Sequence, residues 1–473
     1  MSRHTLDDVA RLQDTIADGR LANPVYRREQ LVKLVTALIE KRESIQEAIV
    51  KDSAVTQSEA FAELYQTLSA LKSHIDATSP SAQLEVEYSV AEGKNAVAAR
   101  HGLGIVVVEP HFHTLFFSIF SPLGAAIAAG NPVVLLSKKT LHHLPALVQT
   151  LLEEAIDPGL VVILPSEPSN LNVALYIRQA PKSSSTDESP GTSSSNALTI
   201  AIVDRTASAD DAAKAVWASR SSFGGTSPYA PDVIFVNEFS KKEFLSGLLH
   251  HCLKNHDSYP ATPRAASIEL PQEGCKSIAS GAWGQVVELT SRSALRRVQK
   301  LDQRTFCIYP YRSLEDVIEL ANDITTDALL ATYAFGDKKT CKYLLQFIDS
   351  DAGFANLAPT ELLVGPAAPR GHATLLDTRY SVDMFSRPTP RYATQTRLSS
   401  VLDRVLGGSA TAADEKKMLV SLLPEKRKPA NPGIGYFERG ALVGALTIFL
   451  PVLGGLSTAA FLTGRIMYRK YVS

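Results

Sequence analysis

Ser221-Ser222-Phe223-Gly224-Gly225-Thr226-Ser227-Pro228-Tyr229-Ala230-Pro231-Asp232, followed at once by Val233-Ile234-Phe235-Val236, is the stretch that decides how this chain is read. Two adjacent glycines give the backbone the freedom a tight loop needs. Ala-Pro-Asp is turn chemistry, and the β-branched and aromatic run after it reads as a buried strand. Just upstream, Ala197 to Asp204 is another apolar run of strand length, and Ala207 to Arg220 is an alanine-rich helix that enters the loop. Strand, helix, loop and strand with short connections imply a right-handed crossover in a parallel sheet.

The same logic applies further out. Gly104-Ile105-Val106-Val107-Val108-Glu109-Pro110 is a strand buried on both faces. A helix follows over Pro122 to Asn131, and Val133-Val134-Leu135-Leu136 is the next strand. Before them, Leu31, Leu34, Val35, Leu38 and Ile39 recur at helical spacing, one of several amphipathic helices between Leu6 and Ala77. Over 80–98, Leu84, Val86, Tyr88 and Val90 alternate with polar residues, which predicts an exposed strand. Residues 181–196 read Pro-Lys-Ser-Ser-Ser-Thr-Asp-Glu-Ser-Pro-Gly-Thr-Ser-Ser-Ser-Asn, a low-complexity stretch expected to be a disordered insert.

Of 473 residues, 48 are Lys or Arg and 49 Asp or Glu, so no net field favours nucleic acid as a partner. The hydrophobic share of 45% excludes disorder of the whole chain. Cys252, Cys275, Cys307 and Cys341 form no metal-spaced or redox pair and suit a reducing compartment. His111 and His113 have no third ligand beside them, so no metal site is expected. The N-terminus has no apolar core of a signal peptide.

Taken together, these stretches resemble the aldehyde dehydrogenase superfamily, and the N-terminal order Arg20, Arg27-Arg28-Glu29-Gln30-Leu31, Lys51-Asp52, Ser58-Glu59-Ala60 resembles its fatty-aldehyde (class 3) branch. The match is closest in Ser121-Pro122-Leu123-Gly124-Ala125-Ala126-Ile127-Ala128-Ala129-Gly130-Asn131-Pro132. It returns over Ser313 to Asn322, Ala328 to Phe335 and Tyr380 to Ser386. The resemblance implies an α/β fold with a Rossmann-type cofactor domain (residues 1–203), a catalytic-type α/β domain (204–380), and a small β oligomerisation ribbon built from 80–100 and 381–410. NAD or NADP would be the cofactor, if any is bound.

The residues that should carry the chemistry depart from the family. Its loop has Gly-Gln-Thr-Cys, whose Cys attacks the aldehyde; here Gly224-Gly225-Thr226-Ser227 stands there with one extra residue, so the nucleophile position is Ser227 or, with the gap placed differently, Pro228. Its Pro-Trp-Asn-Tyr-Pro supplies the oxyanion Asn; Pro110-His111-Phe112-His113-Thr114 puts Phe112 at that position, and Phe donates no hydrogen bond. Its strand-end Lys meets the adenosine ribose; Leu136-Ser137-Lys138-Lys139 offers Lys138 from a shifted place. The pyrophosphate glycines and the general-base Glu have no counterpart, Glu188 lying only nominally near. Ester hydrolysis by Ser227 with His111 or His113 as base is a further option, with no carboxylate placed to orient either ring.

Gly440 to Gly464 holds 25 residues without a charge, long enough at about 1.5 Å per residue to cross a bilayer core of roughly 30 Å. A transmembrane helix is expected there, after a basic linker (411–439) that includes Lys416-Lys417 and Lys426-Arg427-Lys428, and before a short tail (465–473). Insertion would follow translation, leaving a tail-anchored protein with a cytosolic body. The endoplasmic reticulum is the first expectation, peroxisome and outer mitochondrial membrane the alternatives. The functional expectation is a membrane-anchored aldehyde dehydrogenase-like protein, catalytically impaired or inactive, serving as a scaffold or partner, homodimeric or paired with an active homologue. The alternative is an active NAD(P)-dependent oxidoreductase of long-chain aldehydes with a non-standard site.

Overall fold

A computed structural model describes residues 3–53, 55–96, 98–137, 140–167, 172–179, 191–254, 274–325, 327–390, 395–409, 411–423 and 435–472. The chain divides into two compact units, Met1–Arg391 and Tyr392–Ser473.

The first unit is built on two parallel sheets. β2 (Ile105–Glu109), β3 (Val133–Leu136), β4 (Val161–Leu164) and β5 (Val173–Arg178) form a four-stranded sheet in the order β4-β3-β2-β5. β6 (Thr199–Val203), β7 (Val233–Asn237), β8 (Cys275–Gly281), β9 (Gly284–Leu289), β10 (Thr305–Tyr311), β11 (Ala331–Phe335) and β12 (Gly353–Ala355) form a seven-stranded sheet, ordered β12-β11-β6-β7-β10-β9-β8 and parallel except at β8–β9. The runs read as doubly buried are so: every residue of β6 and β7 is buried. β6, which ends the expected cofactor segment at 203, pairs within the second sheet.

The N-terminal helices α1 (Arg3–Ala17), α2 (Pro24–Glu40), α3 (Arg42–Ser53) and α4 (Gln57–Ala77) precede the first sheet. α4 packs on α6 (Leu115–Ala129), all but one of whose residues are buried. The core around these helices runs through Leu31, Leu34, Leu71, Phe116, Phe120 and Ile127.

Two expectations are corrected here. Residues 80–91 are not a strand but helix α5 (Pro80–Ala91), none of whose residues is buried. Alternation of apolar residues specifies a strand only where one face finds a core; without one, the Ser79-Pro80 start, with Pro at the first helical position, decides locally. The ribbon that does form is short: β1 (Arg100–Gly102) pairs antiparallel with β13 (Ser386–Pro388). Second, 191–196 is not disordered. Ser193, Ser194 and Ser195 are buried, and Arg178 and Ser193 exchange backbone hydrogen bonds with their neighbours across the end of β5. Residues 181–190, Glu188 included, lie outside the described residues.

The second unit holds α13 (Arg397–Leu406), α14 (Ala412–Ser421) and α15 (Tyr436–Val472), the last a helix of 37 residues containing Pro451. The stretch 411–439, expected as linker, is thus helical over Ala412–Ser421. Among the described residues no helix is long and apolar enough to cross a membrane. The span expected at 440–464 falls inside α15, and its side chains at 441, 448–450, 452–454 and 456–457 lie outside the described residues.

Candidate active site

The loop at 223–232 hangs between α8 (Ala209–Ser221) and β7, and a buried ion cluster ties it down. Arg220, fully buried, donates to the carbonyls of Gly225 (2.8 Å), Pro231 (3.1 Å) and Leu301 (3.2 Å) and to Asp232 Oδ1 (2.8 Å). Lys300 Nζ reaches Asp232 Oδ2 at 2.9 Å and also donates to the Pro228 carbonyl. Asp232 takes two further bonds from the backbone N–H groups of Thr199 (2.8 Å) and Leu301 (3.0 Å). One carboxylate therefore answers two cations and closes the loop at both ends.

The loop's apex runs left-handed through three consecutive residues, Phe223 (φ 49°), Gly224 (71°) and Gly225 (77°). Phe223 holds that unfavourable geometry because its N–H donates to Glu59 Oε1 at 2.7 Å. Glu59, named above only in the N-terminal order of the resemblance, is a buried clamp. At Gly225 a Cβ would lie 2.7–2.8 Å from the backbone of Gln303, Arg220 and Arg304. Gly225→Ala is expected to cost about 1–3 kcal/mol, read as a lower urea midpoint; an unchanged midpoint would mean the loop sits elsewhere.

In front of the loop lies a cavity of about 610 Å³, whose apolar walls include Val55, Leu115, Leu144 and Phe223 and whose polar groups include Glu63 and Thr226. Ser227 does not line it. Its side chain is fully buried, and its Oγ accepts from the N–H of Tyr229 at 3.3 Å, capping the turn from inside. The hydroxyl facing the cavity is that of Thr226, one residue earlier. Its one proton can go to the Phe223 carbonyl or to His113 Nδ1, each 2.8 Å away.

His113 is the residue that faces the loop from the other side, whereas Phe112 is 72% exposed and edges the cavity. Since the Leu363 carbonyl at 2.8 Å from His113 Nε2 can only accept, Nε2 carries the proton and Nδ1 is the acceptor. Burial holds the His113 imidazole down to about 3, with His111 and Arg379 adding to the depression, so it stays neutral. An imidazole that resists protonation so strongly is a poor general base. It acts as a brace between Thr226 and Leu363. His111, also shifted down by burial, accepts the His113 N–H on Nδ1 at 3.0 Å. Neither ring bonds Ser227, so the structure does not bring together the Ser–His pair considered for ester hydrolysis.

The cysteines supply no substitute thiolate. Burial pushes Cys252 and Cys307 up to about 12, and raises Cys275 and Cys341; Cys341 Sγ donates to the Ala334 carbonyl. Among the described residues no group of three His, Cys, Asp or Glu could hold a metal ion. Lys138 lies outside the described residues.

Solved structures share this arrangement of sheets. Substrate-bound AldH of Staphylococcus aureus aligns with a TM-score of 0.59, covering 84% of this chain and 95% of its own at 16% identity. The 3,6-anhydro-L-galactose dehydrogenase in complex with NAP gives 0.62 over 81% and 90% at 14% identity. Residues 13–183 match the model of the aldehyde dehydrogenase family. The chain is aldehyde dehydrogenase-like. A curated relative, 4,4'-diaponeurosporen-aldehyde dehydrogenase of Staphylococcus aureus (strain NCTC 8325 / PS 47), is 24% identical over 244 residues, 47% of this chain. The chain spans about half of that relative's length, 52%.

Within this aldehyde dehydrogenase-like chain, the sequence marks the loop and His111, Phe112 and His113 of the cavity lining, but not Thr226 or Glu63. Thr226 lies one residue from the position singled out, Ser227, while His113, considered from sequence as a base, braces Thr226 instead. The extra residue between Gly225 and Ala230 was the available signal, because it makes the register of side chains along the loop uncertain. Glu63 carried no signal at all: a glutamate in an amphipathic helix reads as solvated.

Proposed function

We propose that this aldehyde dehydrogenase-like protein is catalytically inactive, a pseudoenzyme of the fatty-aldehyde branch that works as a scaffold or partner in lipid or aldehyde metabolism. The observation that carries the reading is Ser227: the hydroxyl at the nucleophile position is buried and engaged inside its own turn, and neither His111 nor His113 bonds it. An alcohol at neutral pH is far less ionised than a thiol and needs such a base to attack a carbonyl. The absent base and oxyanion donor would each cost about 10²–10⁴-fold in rate.

The uncharged run Gly440 to Gly464 supports anchoring to a bilayer, with the endoplasmic reticulum as first membrane and the peroxisome or outer mitochondrial membrane as alternatives. The partner would be a second copy or an active homologue. The alternative, an active oxidoreductase of long-chain aldehydes, draws on the cavity of about 610 Å³ with apolar walls. It also draws on the comparisons, one relative named for 4,4'-diaponeurosporen-aldehyde and one solved structure in complex with NAP.

Oxidation of a long-chain aldehyde by the full chain, followed through NADH or NADPH absorbance, separates the two. The inactive reading expects rates equal to the protein-free blank for wild type and Ser227→Ala alike. Turnover that disappears in Ser227→Ala would establish the alternative.

A further inference from the structure

We infer that the crevice where a doubly wound sheet of this kind would take a dinucleotide is closed by the chain's own residues, so that neither NAD nor NADP binds. The inference shares the fold with the reading above but does not rest on Ser227. In open parallel sheets the ligand sits beyond the carboxyl ends of the strands, where the strand order reverses. The order β4-β3-β2-β5 puts that point between β2 and β5.

Gln179 fills it. The residue is fully buried, its N–H donates to the Glu109 carbonyl at 3.1 Å, and its side chain spans the gap. Nε2 donates to the Ser118 carbonyl at 2.8 Å, while Oε1 accepts from the His111 N–H at 3.0 Å. Beside it, Arg178 stacks over Tyr176 at 4.8 Å with Glu167 3.3 Å and Glu109 3.7 Å from its guanidinium. Among the described residues beside Gln179, the two carboxylates against Arg178 offer a pyrophosphate no free positive charge to answer.

The connections agree. A helix N-terminus facing the phosphates is the usual anion cradle in such folds; here the helix after β2 is α6, and the N–H groups of Phe116 and Phe117 in its first turn are already taken by Glu63 Oε1 (2.9 and 3.2 Å). After β5 the chain comes back against the strand it has just left: Arg178 N–H donates to the Gly191 carbonyl (3.2 Å) and Ser193 N–H to the Arg178 carbonyl (2.8 Å). Gly191 makes that approach with φ 97°, where a Cβ would lie 2.3 Å from the Tyr176 carbonyl oxygen.

The returning segment is then held by the chain at 369–370. Arg370 N–H donates to the Thr192 carbonyl at 3.0 Å, Arg370 Nε to Ser194 Oγ at 3.0 Å, and Ser193 bridges Pro369.

Calorimetric titration of the full chain with NAD+ and with NADP+ is expected to show no binding up to about 1 mM, and a Kd below that overturns the inference. Because a nucleotide could fail to bind for other reasons, Gly191→Ala tests the closure itself. It is expected to lower Tm by about 4 °C or more, and an unchanged Tm overturns the seating of this segment against β5. Nucleotide binding without aldehyde turnover would defeat the closed crevice and leave the inactive reading of Ser227 standing.

Discussion

Asp232→Ala lowers the unfolding free energy of the chain by about 3–5 kcal/mol, the range expected when one partner of a buried ion pair is removed and the other stays behind. Here the carboxylate serves two cations. Arg220, with no exposed side-chain surface, and Lys300, largely buried, would both lose their counter-charge. Arg220 cannot discharge itself. The same change removes acceptors for the Thr199 and Leu301 N–H groups, so the ends of β6 and of the segment before β10 loosen with the loop. Urea denaturation of wild type and variant, followed by tryptophan fluorescence, measures the loss. A change below about 1 kcal/mol would mean that the cluster is not the lock of the loop.

The second large effect depends on pH and comes from Glu63. Its Oε1 accepts from the N–H groups of Phe116 (2.9 Å) and Phe117 (3.2 Å) at the start of α6. Burial raises its carboxyl from 4.5 to about 7, against the opposite pull of those two backbone bonds. The sign follows from which state holds the proton more tightly. Between about pH 4.5 and 7 the folded chain keeps a proton that the unfolded chain has released. Stability from this group is therefore complete below about 4.5 and is lost as pH rises to about 7. A shift of that size corresponds to about 3 kcal/mol. Glu63→Gln keeps an acceptor oxygen and cannot ionise. The difference in urea midpoint between wild type and Glu63→Gln should therefore grow in favour of the variant across that interval and level off above it. Parallel curves would show that the carboxyl titrates as an ordinary surface glutamate.

How much of this was legible in the sequence depends on what kind of interaction decided each feature. β2, β6 and β7 are runs of apolar residues buried on both faces, and composition alone marks them. Helix α8 was legible for local reasons, alanine propensity, whereas the turn expected at Ala230-Pro231-Asp232 closes earlier, with the Ala230 N–H on the Ser227 carbonyl at 3.1 Å. The helix over 80–91 was not, because apolar alternation and a Ser-Pro start gave opposite answers and no core arbitrated. The order at 191–196 could not be read either: Ser193 and Ser194 are held by Arg178 and Arg370, which stand 15 and 176 residues away from them in sequence. Polar low-complexity sequence reads as disordered until such distant partners are known.

The site divides in the same way. That the loop lacks the family's thiol is a statement about residue types, visible at Gly224-Gly225-Thr226-Ser227. Which hydroxyl faces the cavity is a question of side-chain direction through three left-handed residues, and Thr226 rather than Ser227 emerges only from the backbone. The same holds for His113 against Phe112. Gln179, which fills the crevice, stands in sequence as one polar residue after a strand.

The central claim is that the hydroxyl at the nucleophile position is sequestered, and the most direct test is chemical. The full chain is treated with a fluorophosphonate, which modifies activated serines, and the peptide containing Ser227 is examined by mass spectrometry before and after. The account predicts no adduct on Ser227 in the folded protein. A stoichiometric adduct there, absent after denaturation of the chain beforehand, would contradict it and make Ser227 a working nucleophile.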